Sequence, residues 1–276
     1  RGLTLAEIIS PQNPKIKAAR ALRLRKYRQQ EGRYLIEGVR IVEEALEQGA
    51  PIEALFYAPE LLVSPRGRAL VERCAHVECW AVSPQAMAAL SQRDEPQGLA
   101  AVVRIVEREA EEVSLADDLF VLVAYQLRDP GNLGTIIRTA DAVGATGVLI
   151  VEPAVDLYDP QTVRATMGSL YALPIVRLSE EAALPRWIAQ VRAQSVPLQV
   201  IGSSARGQRL HYDLDYRGPL ALLLGPEREG LSEGARALCD AMVRLPMVGR
   251  ATSLNVAAAA AALAYEVVRQ RHYTVR

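Results

Sequence analysis

Four short apolar runs, uninterrupted and bounded by turn residues, constrain the fold of this chain most: residues 119–125 (LFVLVAY), 147–151 (GVLIV), 198–201 (LQVI) and 220–224 (LALLL). A strand with water on one face alternates apolar and polar residues, whereas a continuous run suits a strand buried on both faces. Between the runs the period changes to that of a helix. Ile136, Ile137, Ala140 and Val143 recur at helical spacing with Gly144 as a stop. Trp187, Ile188 and Val191 mark a second helix, and residues 254–269 form a third that is rich in alanine. Strands alternating with helices predict a parallel, doubly wound α/β sheet in the carboxyl half. Such sheets bind ligands beyond the carboxyl ends of their strands.

The amino half reads as a smaller α/β unit. A basic helix is expected over residues 15–29, then a strand at 34–37, a helix at 39–48 ended by Gly49, and strands at 52–57, 77–82 and 99–105. A length of 276 residues fits two domains. The expected division is 1–106, an acidic linker at 107–118 with few large apolar residues, and 119–276. Formal net charge is zero, so overall balance points to no partner, but charge is unevenly placed. Lys15, Lys17, Arg20, Arg23, Arg25, Lys26, Arg28 and Arg33 face a single acid, Glu31. That cluster is a candidate nucleic-acid surface, although a solvated helix face would read the same way. Three cysteines without framework spacing point to a reducing compartment. Cys74, His76 and Cys79 are too few for a structural zinc, so no metal is expected. With no signal peptide at its start and no apolar stretch long enough to span a bilayer, the chain is expected to be soluble and cytoplasmic, away from membranes.

Three polar segments interrupt this pattern at strand ends or helix starts. They are residues 129–134 (DPGNLG) with Arg138 beyond, residues 225–232 (GPEREGLS), and residues 245–247 (LPM) leading to 253–255 (SLN). Asn132 and Gly134 are placed in the loop after the first run, and Arg138 in the opening turns of the next helix. A guanidinium there makes an anion site, though a solvated arginine explains the position equally well. The lysine and serine or threonine of a nucleoside-triphosphate loop are missing. Gly225 closes the LALLL run, where the lack of a side chain permits a ligand to lie close to the backbone. Glu227 follows in the same turn, and Gly-Pro is also ordinary turn punctuation. Ser253 is placed as cap of the last helix and Asn255 in its first turn. No histidine lies near these segments, which argues against a Ser-His-Asp hydrolase. The alanine run after Val256 predicts a close helix–helix contact, read here as a dimer interface.

At these segments the chain resembles the SpoU/TrmH family of RNA ribose 2′-O-methyltransferases, within the SPOUT class. Asn132, Gly134 and Arg138 match its Asn-x-Gly-x-x-x-Arg motif; Gly225, Glu227, Gly230, Leu231 and Ser232 match its second. Leu245, Pro246, Met247, Ser253, Leu254 and Asn255 match its third. The triple occurs in order across residues 119–269, and any single match would be weak. The amino half is similar, less specifically, to the RNA-binding extension of some members, itself similar to certain ribosomal proteins; residues 13–17 (NPKIK) and 34–38 (YLIEG) carry that likeness.

The resemblance implies a parallel-sheet SPOUT methyltransferase domain with a deep trefoil knot, an exception to the rule that chains avoid knots. It implies S-adenosyl-L-methionine bound near Ile201, Gly202, Gly225, Gly230, Leu245, Met247 and Leu254, and a homodimer through helices including the last. Asn132, Arg138, Glu227, Ser253 and Asn255 would form the catalytic set. Arg138 would clamp phosphate and steady alkoxide charge in preference to acting as base. Glu227 would orient Arg138 or take the proton through water. Lys15, Lys17, Arg20, Arg23, Arg25, Lys26, Arg28 and Arg128 would meet RNA. Ribosomal RNA is the expected substrate, with transfer RNA second. A binding-only ribosome-assembly module is the rival, while a protein or small-molecule methyltransferase is disfavoured by the basic cluster.

Overall fold

The computed structural model describes residues 8–273. They fall into two compact units. One runs to Val106 and also takes in Tyr158–Tyr171; the other comprises Glu107–Leu157 and the chain from Ala172 onward.

The first unit opens with α1 (Pro14–Ala21), where Asn13 caps the Lys15 amide and proline occupies the first turn. The chain breaks at residues 22–24 and resumes as α2 (Arg25–Glu31), ended by Gly32 in the left-handed region. The single basic helix expected is therefore two. There follow β1 (Arg33–Glu37), α3 (Val39–Glu47), β2 (Ile52–Tyr57), α4 (Pro65–Arg73), β3 (Glu78–Ala81), α5 (Pro84–Leu90) and β4 (Leu99–Arg104). Helices α4 and α5 were not anticipated, yet each begins on a Ser-Pro step whose serine, Ser64 or Ser83, caps it. The sheet runs β1-β4-β2-β3, with β4 antiparallel to both neighbours and β2 parallel to β3. Ile16, Leu22, Leu35, Phe56, Met87 and Leu90 share its core.

The second unit carries β5 (Phe120–Tyr125), α6 (Pro130–Ala142) and β6 (Gly147–Val151). The next helix, α7 (Pro160–Thr166), belongs to the first unit and packs on β1 through a buried side that includes Thr162, Val163 and Thr166. It lies inside residues 119–276, the stretch expected to form the carboxyl-terminal domain. The second unit continues with β7 (Ile175–Leu178), α8 (Ala183–Ala193), β8 (Gln199–Ser203), β9 (Arg209–Leu210), β10 (Leu220–Leu224), α9 (Glu233–Ala237), β11 (Ala241–Arg244) and α10 (Val256–His272). All seven strands are parallel, in the order β7-β6-β5-β10-β8-β11-β9.

The strands read from apolar runs form the middle of this sheet, and β5, β6 and β10 are buried along their whole length. Strands β7, β9 and β11 were missed because they are short, lie at or next to the sheet edges, and carry Arg177, Arg209 and Arg244. Strand β11 pairs with both β8 and β9, so the chain returns from central β10 to lie between two strands already laid down. The acidic stretch is not a free tether: it falls in the second unit, and Val113 is buried in that unit's core with Leu119 and Trp187. Among the described residues no helix is long and apolar enough to cross a membrane, and no cluster of His, Cys, Asp or Glu could hold a metal.

Candidate active site

Helix α6 starts earlier than the sequence suggests. Asp129 accepts the Asn132 amide at 2.7 Å and Pro130 takes the first helical position, so Asn132 and Gly134 lie in the helix, not in the loop before it. Helix α10 starts later. Its cap is Asn255, whose Oδ1 accepts from the amides of Ala257 at 2.9 Å and Ala258 at 3.3 Å. Ser253, expected to be the cap, is an exposed residue two positions upstream. Asparagine reaches both orphan amides from the residue immediately before the helix, which a serine two residues earlier does not.

These two helix starts and the turn after β10 meet. Asn255 Nδ2 donates to Asn132 Oδ1 at 2.8 Å and to Glu227 Oε1 at 2.7 Å. Asn132 Nδ2 donates to the same Glu227 oxygen at 3.3 Å, and the Val256 amide at 3.2 Å. One carboxylate oxygen thus gathers three donors from segments 95 and 28 residues away. The Asn255 amide has both oxygen lone pairs and both N–H groups engaged. It is held as a strut between elements and has no group left over for a ligand. Helix α6 packs against α10, whose small Val256, Ala257 and Ala260 are buried.

Arg138 takes no part in this network. It is exposed, and at 3.6 residues per turn it sits about 120° around α6 from Asn132. The expectation that Glu227 orients it is therefore replaced: Glu227 orients the two asparagines.

Beside the network lies a cavity of about 420 Å³. Gly225, Gly230, Leu245, Met247 and Leu254 line it, together with Glu227 and Ser253. Ile201 and Gly202 do not: both are buried within β8, and the residues that face the cavity are Ser203, Ser204, Ala205 and Arg206. The strand runs two residues further than its apolar stretch, so the cavity edge of the sheet moves with it. That extension could have been found from Gly202-Ser203-Ser204, a small polar tail on an apolar run. Gly225 is needed for a second reason besides the one expected. A Cβ there would lie 2.7 Å from the Gly230 carbonyl carbon and the Leu231 nitrogen, so the turn itself requires the close approach. Ser232 caps α9 and donates to Glu181 at 2.9 Å, while the buried Tyr125 hydroxyl donates to Glu181 and lies 2.7 Å from Ser232. These bonds, the tyrosine's first, hold the Glu181 carboxyl below its usual value.

The basic cluster divides. Lys17, Arg20, Arg25 and Lys26 are exposed, and Lys15 sits 3.9 Å over the Trp80 ring with Glu78 at 3.8 Å. Arg128 is exposed beside Glu229. Arg28 is 2% exposed, donates to the Leu22 carbonyl at 2.9 Å and the Arg23 carbonyl at 2.6 Å, and has Asp159 at 3.8 Å. It joins α1 to α2 and is not available to RNA. Arg23 is half-buried and donates to the Ala89 and Ser91 carbonyls, and burial lowers its pKa. A helix period cannot reveal this, because the break at residues 22–24 turns the two arginines inward.

Comparison with known proteins adds to this geometry. The sequence model of the SpoU rRNA Methylase family matches residues 119–265, and that of the MRM3-like substrate binding domain matches 13–101. The 23S rRNA (uridine(2479)-2′-O)-methyltransferase of Streptomyces viridochromogenes is 37% identical over 90% of this chain and 86% of its own. The 23S rRNA (guanosine(2553)-2′-O)-methyltransferase of Bacillus subtilis is 32% identical over 95% and 99%. Among solved structures, the SpoU methyltransferase AviRb from S. viridochromogenes in complex with AdoMet superposes with a TM-score of 0.89 at 35% identity, covering 96% of this chain and all of that one.

Proposed function

The chain belongs to the SpoU rRNA methylase family, and from that membership we propose that it transfers a methyl group from S-adenosyl-L-methionine to a ribose 2′-hydroxyl of large-subunit ribosomal RNA. The observation that carries this reading is the meeting of Asn132, Glu227 and Asn255 on one carboxylate oxygen beside the cavity at the sheet's carboxyl edge. The cavity suits the cofactor. Its volume is that of a small-molecule site. Leu245, Met247 and Leu254 offer apolar walls for an adenosyl group, and Ser203, Ser204 and Arg206 offer polar partners for an amino-acid end. Bound there, S-adenosyl-L-methionine supplies an electrophilic methyl on its sulfonium.

The chain's own residues hold the acceptor and manage its proton. Alignment of donor and acceptor can contribute about 7–11 kcal/mol to such a transfer. The Asn132–Glu227–Asn255 network fixes the start of α6 against the start of α10, and so sets where a ribose rests. The Arg138 guanidinium steadies charge growing on the ribose oxygen. No histidine lines the cavity. Glu227 Oε1 is saturated, so its second oxygen is the acceptor we assign for the proton, through water. Asn132 and Asn255 are thus positioning residues in this reading, Glu227 takes the proton through water, and Arg138 and Ser253 are the groups that touch RNA.

The finer features of the family follow as part of the same proposal. A trefoil knot is supported by the return of β11 between β8 and β9. A Cβ on Gly207 would lie 2.4 Å from the Val243 carbonyl carbon, so two remote segments cross in contact there. A homodimer is supported by the exposed stripe Ala258, Ala262 and Tyr265 on α10, spaced to lie along one helix face. The amino-terminal unit would bind RNA in the manner of the ribosomal proteins it resembles, in the cytoplasm.

The test is transfer of labelled methyl to 23S ribosomal RNA and, separately, to total transfer RNA, followed by mapping of alkali-resistant linkages. Label is expected in ribosomal RNA at a discrete 2′-O-methyl position. Label confined to transfer RNA would redirect the substrate, and label in neither would leave a binding-only protein.

A further inference from the structure

The first unit contains a cavity that the methyl-transfer site does not use. Its volume is about 490 Å³, and its walls come from β1, the start of α3, residues 90–97 and α7. Four arginines reach it: Arg23, Arg40, Arg93 and Arg164. Arg40 and Arg164 are exposed at the rim. Arg23 and Arg93 are half-buried, and the Nε of each is fully buried without a hydrogen-bond partner. A buried guanidinium N–H without an acceptor is costly, and two converging on one cavity call for an anion. The only carboxylate in the lining is Glu37, one negative charge against four arginines; it acts on Arg23 through space, and its oxygens are already engaged by the Ser91 hydroxyl and, at 3.1 Å, by the Gln92 amide.

The rest of the lining describes the other half of the ligand. Leu35, Ile41, Leu90 and Met167 make an apolar wall, and the side-chain amides of Gln92 and Gln97 stand beside it. An anion site joined to an apolar slot with amide donors and acceptors fits a nucleotide, with phosphate among the arginines and base on the wall. Sequence-selective RNA recognition uses unpaired bases splayed from the strand, stacked on aromatic rings or guanidinium planes and read along their edges. No aromatic ring lines this cavity, so the surface it offers a base is the apolar wall of Leu35, Ile41, Leu90 and Met167. Arg23 lies between α1 and α2, so the cavity opens from the same basic segment that carries Arg20, Arg25 and Lys26.

We propose that this cavity captures one unpaired nucleotide of the RNA substrate, its phosphate held by the arginines and its base by the apolar wall. The proposal rests on the RNA-modifying reading above and gives that reading a substrate-selecting subsite.

The test measures binding, so it does not depend on methyl transfer. Retention of a 23S ribosomal RNA transcript by the full chain is measured against salt for wild type, for Arg40→Gln with Arg164→Gln, and for a charge-matched control, Arg73→Gln with Arg104→Gln, in the same unit. The pocket variant should lose about tenfold or more in affinity and flatten the dependence of log affinity on log salt by roughly one to two units, as expected for two lost phosphate contacts. The control should change by less than about twofold, and S-adenosyl-L-methionine affinity by isothermal titration should be unchanged in both. Equal losses in the two variants would overturn the proposal. So would tight binding of uridine or guanosine 5′-monophosphate that the pocket substitutions abolish while RNA affinity stays intact, since that marks a site for free nucleotide. A second readout needs no variant: photo-cross-linking of 4-thiouridine-substituted transcript should label peptides containing residues 35–41 or 160–167, and labelling confined to other peptides would also overturn it.

Discussion

Single side chains in this protein divide into those that hold the site together and those free to act. Asn255 is of the first kind, with its whole amide consumed by Ala257, Ala258, Asn132 and Glu227. Asn255→Ala should cost about 1 kcal/mol through the lost cap and lower methyl transfer by on the order of 10²-fold through misplacement. Both are readable by denaturant titration and single-turnover kinetics. Arg138 is of the second kind. Arg138→Ala should lower transfer by at least about 10²-fold with cofactor affinity within a few fold; collapse of that affinity would place Arg138 in the cofactor pocket instead. Cys239 shows what burial does to a titrating group. Burial, with the Asp240 carboxylate adding to it, pushes its thiol up to about 11, against about 8.5 for a free cysteine. The contribution of that neutral thiol to stability is present below about pH 8.5 and is lost as pH rises towards the folded value. Burial also raises the pKa of Cys74 and Cys79. Native protein at pH 8 should therefore react slowly with iodoacetamide, and all three thiols should react fast in denaturant.

Among the elements, the paired helices α1 and α2 show where a local pattern stops being informative. Charge clustering over residues 15–33 was visible in the sequence, and most of those side chains are exposed. Arg28 belongs to the same run but ties α2 back to the carbonyls of residues 22 and 23. Arg28→Met should destabilise the protein by on the order of 2–4 kcal/mol, because two buried acceptors lose their donor. The salt dependence of RNA binding should be unchanged, since no phosphate contact is lost. Arg25→Met should do the reverse, changing the salt dependence and leaving the melting midpoint near wild type. Elements with a complete local signature were legible. Runs buried on both faces read as β5, β6 and β10, and Gly49 marked the end of α3. Short edge strands were not, because β7, β9 and β11 owe their pairing to neighbours distant in the chain.

At the scale of the molecule, the first unit is built from two separate stretches of chain, and α7 folds with the amino-terminal strands. Residues 107–276 produced alone should therefore keep amide protection in β5, β6 and β10 but lose it across residues 158–171, read by hydrogen exchange. Equal protection in the fragment and the full chain would show that α7 does not need β1. The sequence by itself determined the parallel sheet, the amino-terminal basic surface and the three polar turns, because burial on both faces, clustered charge and turn chemistry are written in neighbouring residues. Only the tertiary structure decided which arginines turn inward, that Ser203 and not Gly202 faces the cavity, that Glu227 binds two asparagines, and that α7 crosses to the other unit. Each of those depends on where remote segments meet, and contacts between remote segments leave no period in the chain.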